Sequence, residues 1–472
     1  MWLTLLLPAV ALAQEPGSPG SPGSPPDSRA TALAQRDAAQ QTFLRLTAED
    51  NYEEAAVIAA QIVDLTTRLY GEKSIELATP LTNLATAQMH RGNFAAAETN
   101  YRACIAIIEA KDGLGSTRLI NPLVGLAETY LRAGSYQQAN AAYRRALQTN
   151  HAAGGFYNLG QVKILDGLSE TYLGLDKLQA ANAQQRTQVT IQRHRSGPDS
   201  PDLVPALYKL GRWYNRTGQY PEAREAYQNA RRVIRESSGD NDPAMVDALL
   251  GEAITYENEG AVPAGASMIK RALDLLDSQP EPDHMKRAEV LVALGDLYTI
   301  ARQARSARQR YAQAWQELSG EDALLPERDR YFASPSRISG PRLPTVVGEG
   351  GKEMEKSADS RGALARGFVV ASLTVDADGE ARNTAIIESD PPGLMDKQVL
   401  KALGNTAFRP RMVDGVTVPS EAVQFRHEFR YVQPVAASEA PPPSASPQSA
   451  GEKGERINFP DTPDEPDGTP RP

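Results

Sequence analysis

Between residues 31 and 320, apolar and small residues recur with a constant spacing of 42 positions. An alanine or glycine follows three residues after each of seven equally spaced positions, which are Tyr52, Phe94, Tyr136, Leu178, Tyr220, Val262 and Ala304. A leucine stands 13 residues before the last six of them, at Leu81, Leu123, Leu165, Leu207, Leu249 and Leu291. Self-similarity at a fixed long period predicts an array of stacked structural units.

Within one unit the apolar positions follow helical spacing. In the unit that runs from 201 to 238, Leu207, Leu210 and Tyr214 share one helix face. Gly218 interrupts this stripe, because glycine readily adopts the left-handed conformation that ends a helix. A second stripe begins at Ala223, and small residues there allow two helices to approach closely. Each unit is therefore predicted to be a helix hairpin, so the array contains seven hairpins.

The order of residues in these hairpins resembles the tetratricopeptide repeat. The first helix carries a leucine, a small residue and an aromatic residue, and the second carries alanine and an aromatic residue. The usual period is about 34 residues, so the present units are longer, and connecting segments such as Gly197–Leu203 resemble the kinesin-light-chain-like class. The resemblance implies a right-handed α-solenoid over residues 31–320. The first and last units depart from the pattern, with Ala39 and Thr42 replacing leucine and Arg302 replacing the turn glycine.

The same resemblance implies a binding surface for a protein or peptide partner along the first helices of the hairpins. Unit five is the most basic stretch and is expected to favour acidic groups or a terminal carboxylate, which arginine binds through paired hydrogen bonds. The alternative is that these charges form an ordinary solvated face. The predicted contact residues are Asn121, Glu128, Arg132, Lys163, Asp166, Glu170, Tyr208, Arg212, Asn215 and Arg216.

After residue 320 the 42-residue register ends, and residues 321–362 are predicted to be a linker. From 363 to 433 the apolar period changes to 2, which predicts strands. Two strands flank a turn at Asp376–Gly379, a helix spans 394–403, and a last strand runs from Ala422 to Val432. The sequence thus predicts a small α+β domain of β-β-α-β order after the mainly helical array.

This second domain resembles the C-terminal domain of the TonB family of energy transducers. The resemblance rests on Gly367-Phe-Val-Val, Val375-Asp-Ala-Asp-Gly379, Ala407-Phe-Arg-Pro410, Asp414-Gly-Val416 and the terminal Phe425…Phe429. It implies capture of an extended partner segment as an added strand. The last strand alternates apolar and charged residues and is expected to lie at a sheet edge. The predicted strand-addition residues are Phe425, Arg426, His427, Glu428 and Phe429.

The ends of the chain suggest an exported protein. Residues 1–13 are an apolar run ending in Ala-Leu-Ala, which predicts a cleavable signal peptide followed by a Gly/Ser/Pro linker over 14–30. Because no basic residue precedes the run, the true start codon is expected upstream. The proline-rich residues 434–472 are predicted to be a disordered tail. Together with the TonB-like domain, this predicts a periplasmic location in a Gram-negative envelope.

Reactive chemistry is not indicated. The five histidines show no metal-ligand spacing, and the single cysteine, Cys104, lies among apolar residues where a core role is expected. Asp376 and Asp378 are explained by a hairpin turn better than by acid–base catalysis. We therefore expect no catalytic residue, no cofactor and no metal site. The net charge of −9 and the lack of a basic cluster argue against nucleic-acid partners.

Two functions remain consistent with these features. The first is a non-enzymatic periplasmic adaptor that binds protein or peptide partners of the cell envelope, outer-membrane protein segments among them. The alternative is an energy transducer of the TonB family whose N-terminal membrane anchor was lost by misannotation of the start site. The sequence shows no stable membrane span, and a transducer would need one of about 20 apolar residues upstream.

Overall fold

The computed structural model describes residues 26–353 and 364–432. The predicted signal peptide and the predicted tail lie outside these residues, as does most of the linker at 14–30. The described chain forms two compact units. Of the described residues, the first contains 26–340, Thr374–Arg382 and Thr406–Glu421, and the second contains 341–353, 364–373, Asn383–Asn405 and 422–432.

Seven antiparallel helix hairpins form the array, as the 42-residue period predicts. A short helix, α15, follows them, and α16 belongs to the C-terminal region. The helices are α1 Pro26–Ala48, α2 Tyr52–Tyr70, α3 Ala78–His90, α4 Phe94–Asp112, α5 Ile120–Arg132, α6 Tyr136–Gly154, α7 Val162–Gly174, α8 Leu178–Ser196, α9 Val204–Arg216, α10 Tyr220–Ser238, α11 Val246–Asn258, α12 Val262–Asp277, α13 His284–Ile300, α14 Ala304–Glu317, α15 Leu325–Phe332 and α16 Asp396–Gly404.

The second helix of every hairpin begins at one of the seven positions found in the sequence, from Tyr52 to Ala304. The small residue three positions later is buried in each hairpin, and so is each of the six recurring leucines. The turn before the second helix contains a residue of positive φ, which is glycine in four hairpins. Asp50, Asp176 and Arg302 take that conformation in the other three, with φ of 55°, 57° and 56°. The predicted departure at Arg302 thus changes the residue and leaves the turn geometry intact.

At three of the six junctions between hairpins, a tyrosine packs over a glycine of the next hairpin. Tyr101, Tyr143 and Tyr227 on second helices each cover the glycine 24 positions later, on the next first helix. A Cβ added at Gly125, Gly167 or Gly251 would overlap the tyrosine ring. The close approach of the helices at these junctions therefore depends on glycine.

The junction between α8 and α9 is built differently. Gln185 and Lys209 occupy the places of the tyrosine and the glycine, and Gln185 is buried there together with Asn182 and Gln188. Two of the buried apolar clusters of the array meet beside this junction. One runs from Leu77 to Leu168 on α7, and the other begins at Ala181 on α8 and continues across α9 to the end of the array. The break between them falls within the fourth hairpin, next to the buried amides Asn182, Gln185 and Gln188, which we call the polar seam.

The C-terminal region contains strands that pair in three small sheets. The strands are β1 Ser336–Ser339, β2 Val346–Val347, β3 Leu364–Val375, β4 Ala381–Asp390, β5 Ala407–Arg409, β6 Arg411–Val413, β7 Val416–Val418 and β8 Ser420–Val432. The four-stranded sheet has the order β2-β8-β3-β4, while β1 pairs with β5 and β6 with β7. The predicted β-β-α-β order is present as β3, β4, α16 and β8. A turn at Asp414 and Gly415 joins β6 to β7.

Two expectations about this region differ from the structure. The stretch predicted to be a linker, 321–362, contains α15, β1 and β2, and Phe332 within it is fully buried. The compact units also do not follow the predicted domain border, because 374–382 and 406–421 group with the array. Among the described residues, no helix has the length and apolar content needed to cross a bilayer.

Candidate functional site

The ten predicted contact residues of the array lie on three consecutive first helices. Asn121, Glu128 and Arg132 are on α5, spaced so that they share one helix face. The residues on α7 are Lys163, Asp166 and Glu170, and those on α9 are Tyr208, Arg212, Asn215 and Arg216. All ten are at least partly exposed. The repeat therefore presents polar side chains at matching positions of adjacent hairpins.

Several of these charges neutralise one another. On α5, Arg132 Nη2 lies 2.8 Å from Glu128 Oε1. Between α7 and α9, Arg216 forms an ion pair with Glu170, and Lys209 Nζ lies 2.5 Å from Asp166 Oδ2. The basic character predicted for unit five is accordingly reduced by the acids of unit four, because Lys209 and Arg216 each have a carboxylate beside them. The sequence could not show the two pairs between α7 and α9, since their members are 43 and 46 residues apart.

Asp166 also organises the polar seam. Its Oδ1 accepts hydrogen bonds from Gln185 Nε2 at 3.2 Å and from Gln188 Nε2 at 2.8 Å. With Lys209 on the other oxygen, the carboxylate is already saturated by partners within the array. Asp166 is therefore a structural residue of the α7–α8–α9 junction, and the seam borders the predicted binding surface.

Two cations of the predicted surface stand apart from these pairs. Lys163 and Arg212 are exposed, and neither forms an ion pair with another described residue. Beside them, Tyr208 Oη donates a hydrogen bond to the Ala244 carbonyl at 2.8 Å, and Asn215 Nδ2 donates to the Gly251 carbonyl at 3.4 Å. Tyr208 and Asn215 thus link α9 to the next hairpin, whereas the charges of Lys163 and Arg212 are not neutralised by an ion pair among the described residues.

A charged cluster at the end of the array was not predicted from the sequence. Asp296 on α13 accepts hydrogen bonds from Arg409 Nε at 2.9 Å and Nη2 at 2.5 Å, and Tyr311 Oη donates to it at 2.9 Å. Both charged side chains are largely buried, with 13% of Arg409 and 18% of Asp296 exposed. Burial, with the nearby charge of Asp296, raises the pKa of Glu257 on α11 to about 7.

The predicted strand-addition residues lie on β8. Their side chains alternate as expected, with Phe425, His427 and Phe429 turned inward and Arg426 and Glu428 exposed. The strand β8 is not the outermost strand of its sheet, because β2 and β3 flank it. The pairing with β2 is at Arg430 and Tyr431, which follow the five predicted residues, so strand addition at 425–429 stays a prediction. The short strand β2 comes from the stretch predicted to be a linker, and its two residues were too few to give a periodic signal.

Asp376 and Cys104 have structural roles in the folded chain. Asp376 Oδ1 accepts from the Asp378 and Glu380 amides at 3.0 and 2.9 Å, which confirms the predicted hairpin turn. Cys104 is fully buried, as predicted, and burial raises the pKa of its thiol. Over residues 26–353 and 364–432, no three His, Cys, Asp or Glu side chains come together in a way that could hold a metal ion.

Two family models match stretches of the chain, one in the array and one in the C-terminal region. The family model described as tetratricopeptide repeat matches residues 202–261. The model described as Gram-negative bacterial TonB protein C-terminal matches residues 358–431. Both resemblances drawn from the sequence are thereby confirmed, and the chain combines tetratricopeptide repeats, which bind protein partners, with a TonB-type C-terminal region. No curated protein matches the sequence.

Solved structures with similar folds are repeat proteins. A kinesin light chain of Podosopora anserina with nearly identical TPR-like repeats has 17% identity and a TM-score of 0.38, covering 45% of this chain and 99% of its own. BtubC (BKLC) from P. vanneervenii has 18% identity and a TM-score of 0.34, covering 54% and 94%. A tetratricopeptide repeat protein from Parabacteroides merdae has 15% identity and a TM-score of 0.35, covering 62% and 97%. At TM-scores below 0.5, none of these likenesses supports a functional inference.

Proposed function

We propose that this chain is a non-enzymatic adaptor of the periplasm. The repeat array binds a protein or peptide partner along α5, α7 and α9, and the TonB-like sheet captures an extended segment of another protein by strand addition. The family matches support the general role, because both families are non-enzymatic scaffolds or adaptors. The apolar leader ending in Ala-Leu-Ala motivates the location.

The observation that carries the array site is the pair of exposed cations Lys163 and Arg212, on adjacent first helices and outside the ion pairs around them. A planar guanidinium at this place suits a carboxylate, which it can grip with two parallel hydrogen bonds. The partner of the array is therefore an acidic segment or a chain terminus. Arg216 contributes less to binding of an acidic partner, because its charge is neutralised by the ion pair with Glu170.

Charge reversal at these two positions tests the site. We expect Lys163→Glu with Arg212→Glu to abolish capture of a cross-linked partner from envelope extract, with the melting temperature unchanged because both side chains are exposed. Arg144→Glu is the matched control, since Arg144 is an exposed arginine on a second helix, α6. Equal capture by the double variant and the wild type would reject the site.

Fractionation tests the location independently. The mature protein is expected in the osmotic-shock fraction with Gln14 as its first residue, following cleavage after Ala13. An intact Met1 in the cytoplasmic fraction would contradict export. A full-length chain retained in the inner membrane would instead favour the alternative, an energy transducer of the TonB family with an anchor upstream of Met1.

A further inference from the structure

The short strand β2 occupies one side of the strand β8. Val346 and Val347 pair in parallel with Arg430 and Tyr431. The Arg430 amide donates a hydrogen bond to the Thr345 carbonyl at 2.9 Å, and His427 Nε2 lies 2.9 Å from the Pro344 carbonyl. Because a carbonyl only accepts, this imidazole nitrogen carries the proton. Residues 344–347 thus lie along β8 as an extended segment held through their backbone.

One side chain anchors this segment. Val347 is fully buried, whereas Thr345 is exposed. Immediately after Val347 the chain reverses, with the Gly348 amide donating to the Lys352 carbonyl at 2.9 Å and a bridge between Val347 and Glu353. The ladder between β2 and β8 spans two residues, although β8 is 13 residues long. A two-residue ladder with one buried valine is a small contact compared with that of a full-length strand.

We propose that residues 344–347 are an internal ligand that masks β8, and that a partner segment binds by displacing them. This inference rests on the strand addition proposed above and specifies its partner. The partner is an extended segment of another protein, parallel to β8, with a β-branched apolar residue in the place of Val347. Its backbone carbonyls accept from the Arg430 amide and from His427 as those of Thr345 and Pro344 do. Specificity comes from the buried side chain, because the backbone bonds are common to all sequences.

Displacement of residues 344–347 from β8 is tested with a peptide that has the sequence of this segment. A fluorescent synthetic peptide of residues 341–350 is titrated into the full-length protein and followed by anisotropy. Val347→Asp places a charge in the buried position and should release the mask. If β2 occupies β8 in about nine molecules of ten, the released variant binds the peptide about tenfold more tightly than the wild type.

Two controls accompany the titration. Thr345→Asp adds the same charge at an exposed side chain and keeps the carbonyl that Arg430 uses, so it should bind like the wild type. A peptide with aspartate in the place of Val347 should not bind any variant. Should Val347→Asp fail to fold by circular dichroism, Val347→Ala replaces it, with a smaller gain in affinity in the same direction.

The outcomes separate the mask from strand addition itself. Equal peptide affinity in wild type and released variant overturns the mask and leaves strand addition standing. A released variant whose Arg430 amide exchanges faster than in the wild type but which binds no peptide contradicts strand addition at β8. Hydrogen exchange of the Arg430 amide that stays as slow in the folded variant as in the wild type also overturns the mask. The hydrogen bond to the Thr345 carbonyl would then not be the cause of the slow exchange.

Discussion

At the scale of single residues, Glu257 is a carboxyl group whose pKa is strongly shifted by its surroundings. Burial, with the nearby charge of Asp296, raises its pKa from 4.5 to about 7. A carboxyl group with a raised pKa in the folded state favours folding while it is protonated. Its contribution is complete below about pH 4.5 and is lost as the pH rises through 7. Glu257 therefore makes the array less stable at pH 8 than at pH 5.

Replacement by glutamine should remove this dependence. Glu257→Gln keeps the shape of the side chain without a charge, so we expect a gain of about 1–3 kcal/mol in unfolding free energy at pH 8. Little change is expected at pH 5, where Glu257 is already mainly protonated. Urea denaturation at both pH values measures the difference. A gain of the same size at pH 5 would show that desolvation of the carboxylate is not its cause.

At the scale of elements, three of the six junctions between hairpins depend on a tyrosine that packs over a glycine. In the interior of a helix, alanine is favoured over glycine by about 1 kcal/mol. At Gly167 on α7 this preference is opposed by the ring of Tyr143, which is 3% exposed and cannot move aside into solvent. Overpacking of a well-packed core costs about 1–3 kcal/mol, so the steric effect outweighs the helix preference.

We expect Gly167→Ala to lower the unfolding free energy by about 1–2 kcal/mol, measured by chemical denaturation. Gly115→Ala is the control, because an added Cβ there meets no atom within 4 Å. That variant should be neutral or slightly stabilised, since alanine restricts the unfolded chain. If both variants behave alike, the tyrosine–glycine contact is not what determines the spacing of the hairpins.

At the scale of the whole molecule, the array is not a single uniform core. Repeat arrays are stabilised mainly by contacts between neighbouring units, so a weak junction limits cooperativity. Here Gln185 and Lys209 replace the tyrosine and glycine, and the two large apolar clusters meet between Leu168 on α7 and Ala181 on α8. Asp166, Gln188 and Lys209 are linked there by hydrogen bonds, so this part of the array is expected to separate at lower cost than a junction that packs a tyrosine on a glycine.

We therefore predict two thermal transitions for the array in calorimetry. Leu123→Ala, in the cluster before the seam, should lower one of them, and Leu249→Ala, in the cluster after it, should lower the other. Both leucines are at most 2% exposed, and removing such a side chain costs about 2–5 kcal/mol. A single transition that moves equally with either substitution would show that the seam transmits cooperativity in full.

The local periodicity of the sequence determined which segments form helices and strands and which of their faces are buried. The 42-residue register located the turn of every hairpin, because the seven recurring positions prove to be the first residues of the second helices. The recurring leucines of the predicted helix faces are buried. The alternation along 422–432 likewise predicted which side chains of β8 face inward. These features follow from the sequence because helix and strand periods reflect which side of an element is buried. That information lies within a few neighbouring residues.

The partners of those elements were decided by the tertiary structure. The pairing of Arg216 with Glu170, the docking of Arg409 on Asp296 and the pairing of β2 with β8 each join residues at least 46 positions apart. Such contacts produce no periodic pattern in the sequence. An arginine or a pair of valines has the same local sequence whether or not it has a distant partner. For this reason the sequence located the binding helices and the last strand, but only the folded chain showed which charges are neutralised and which strand is covered.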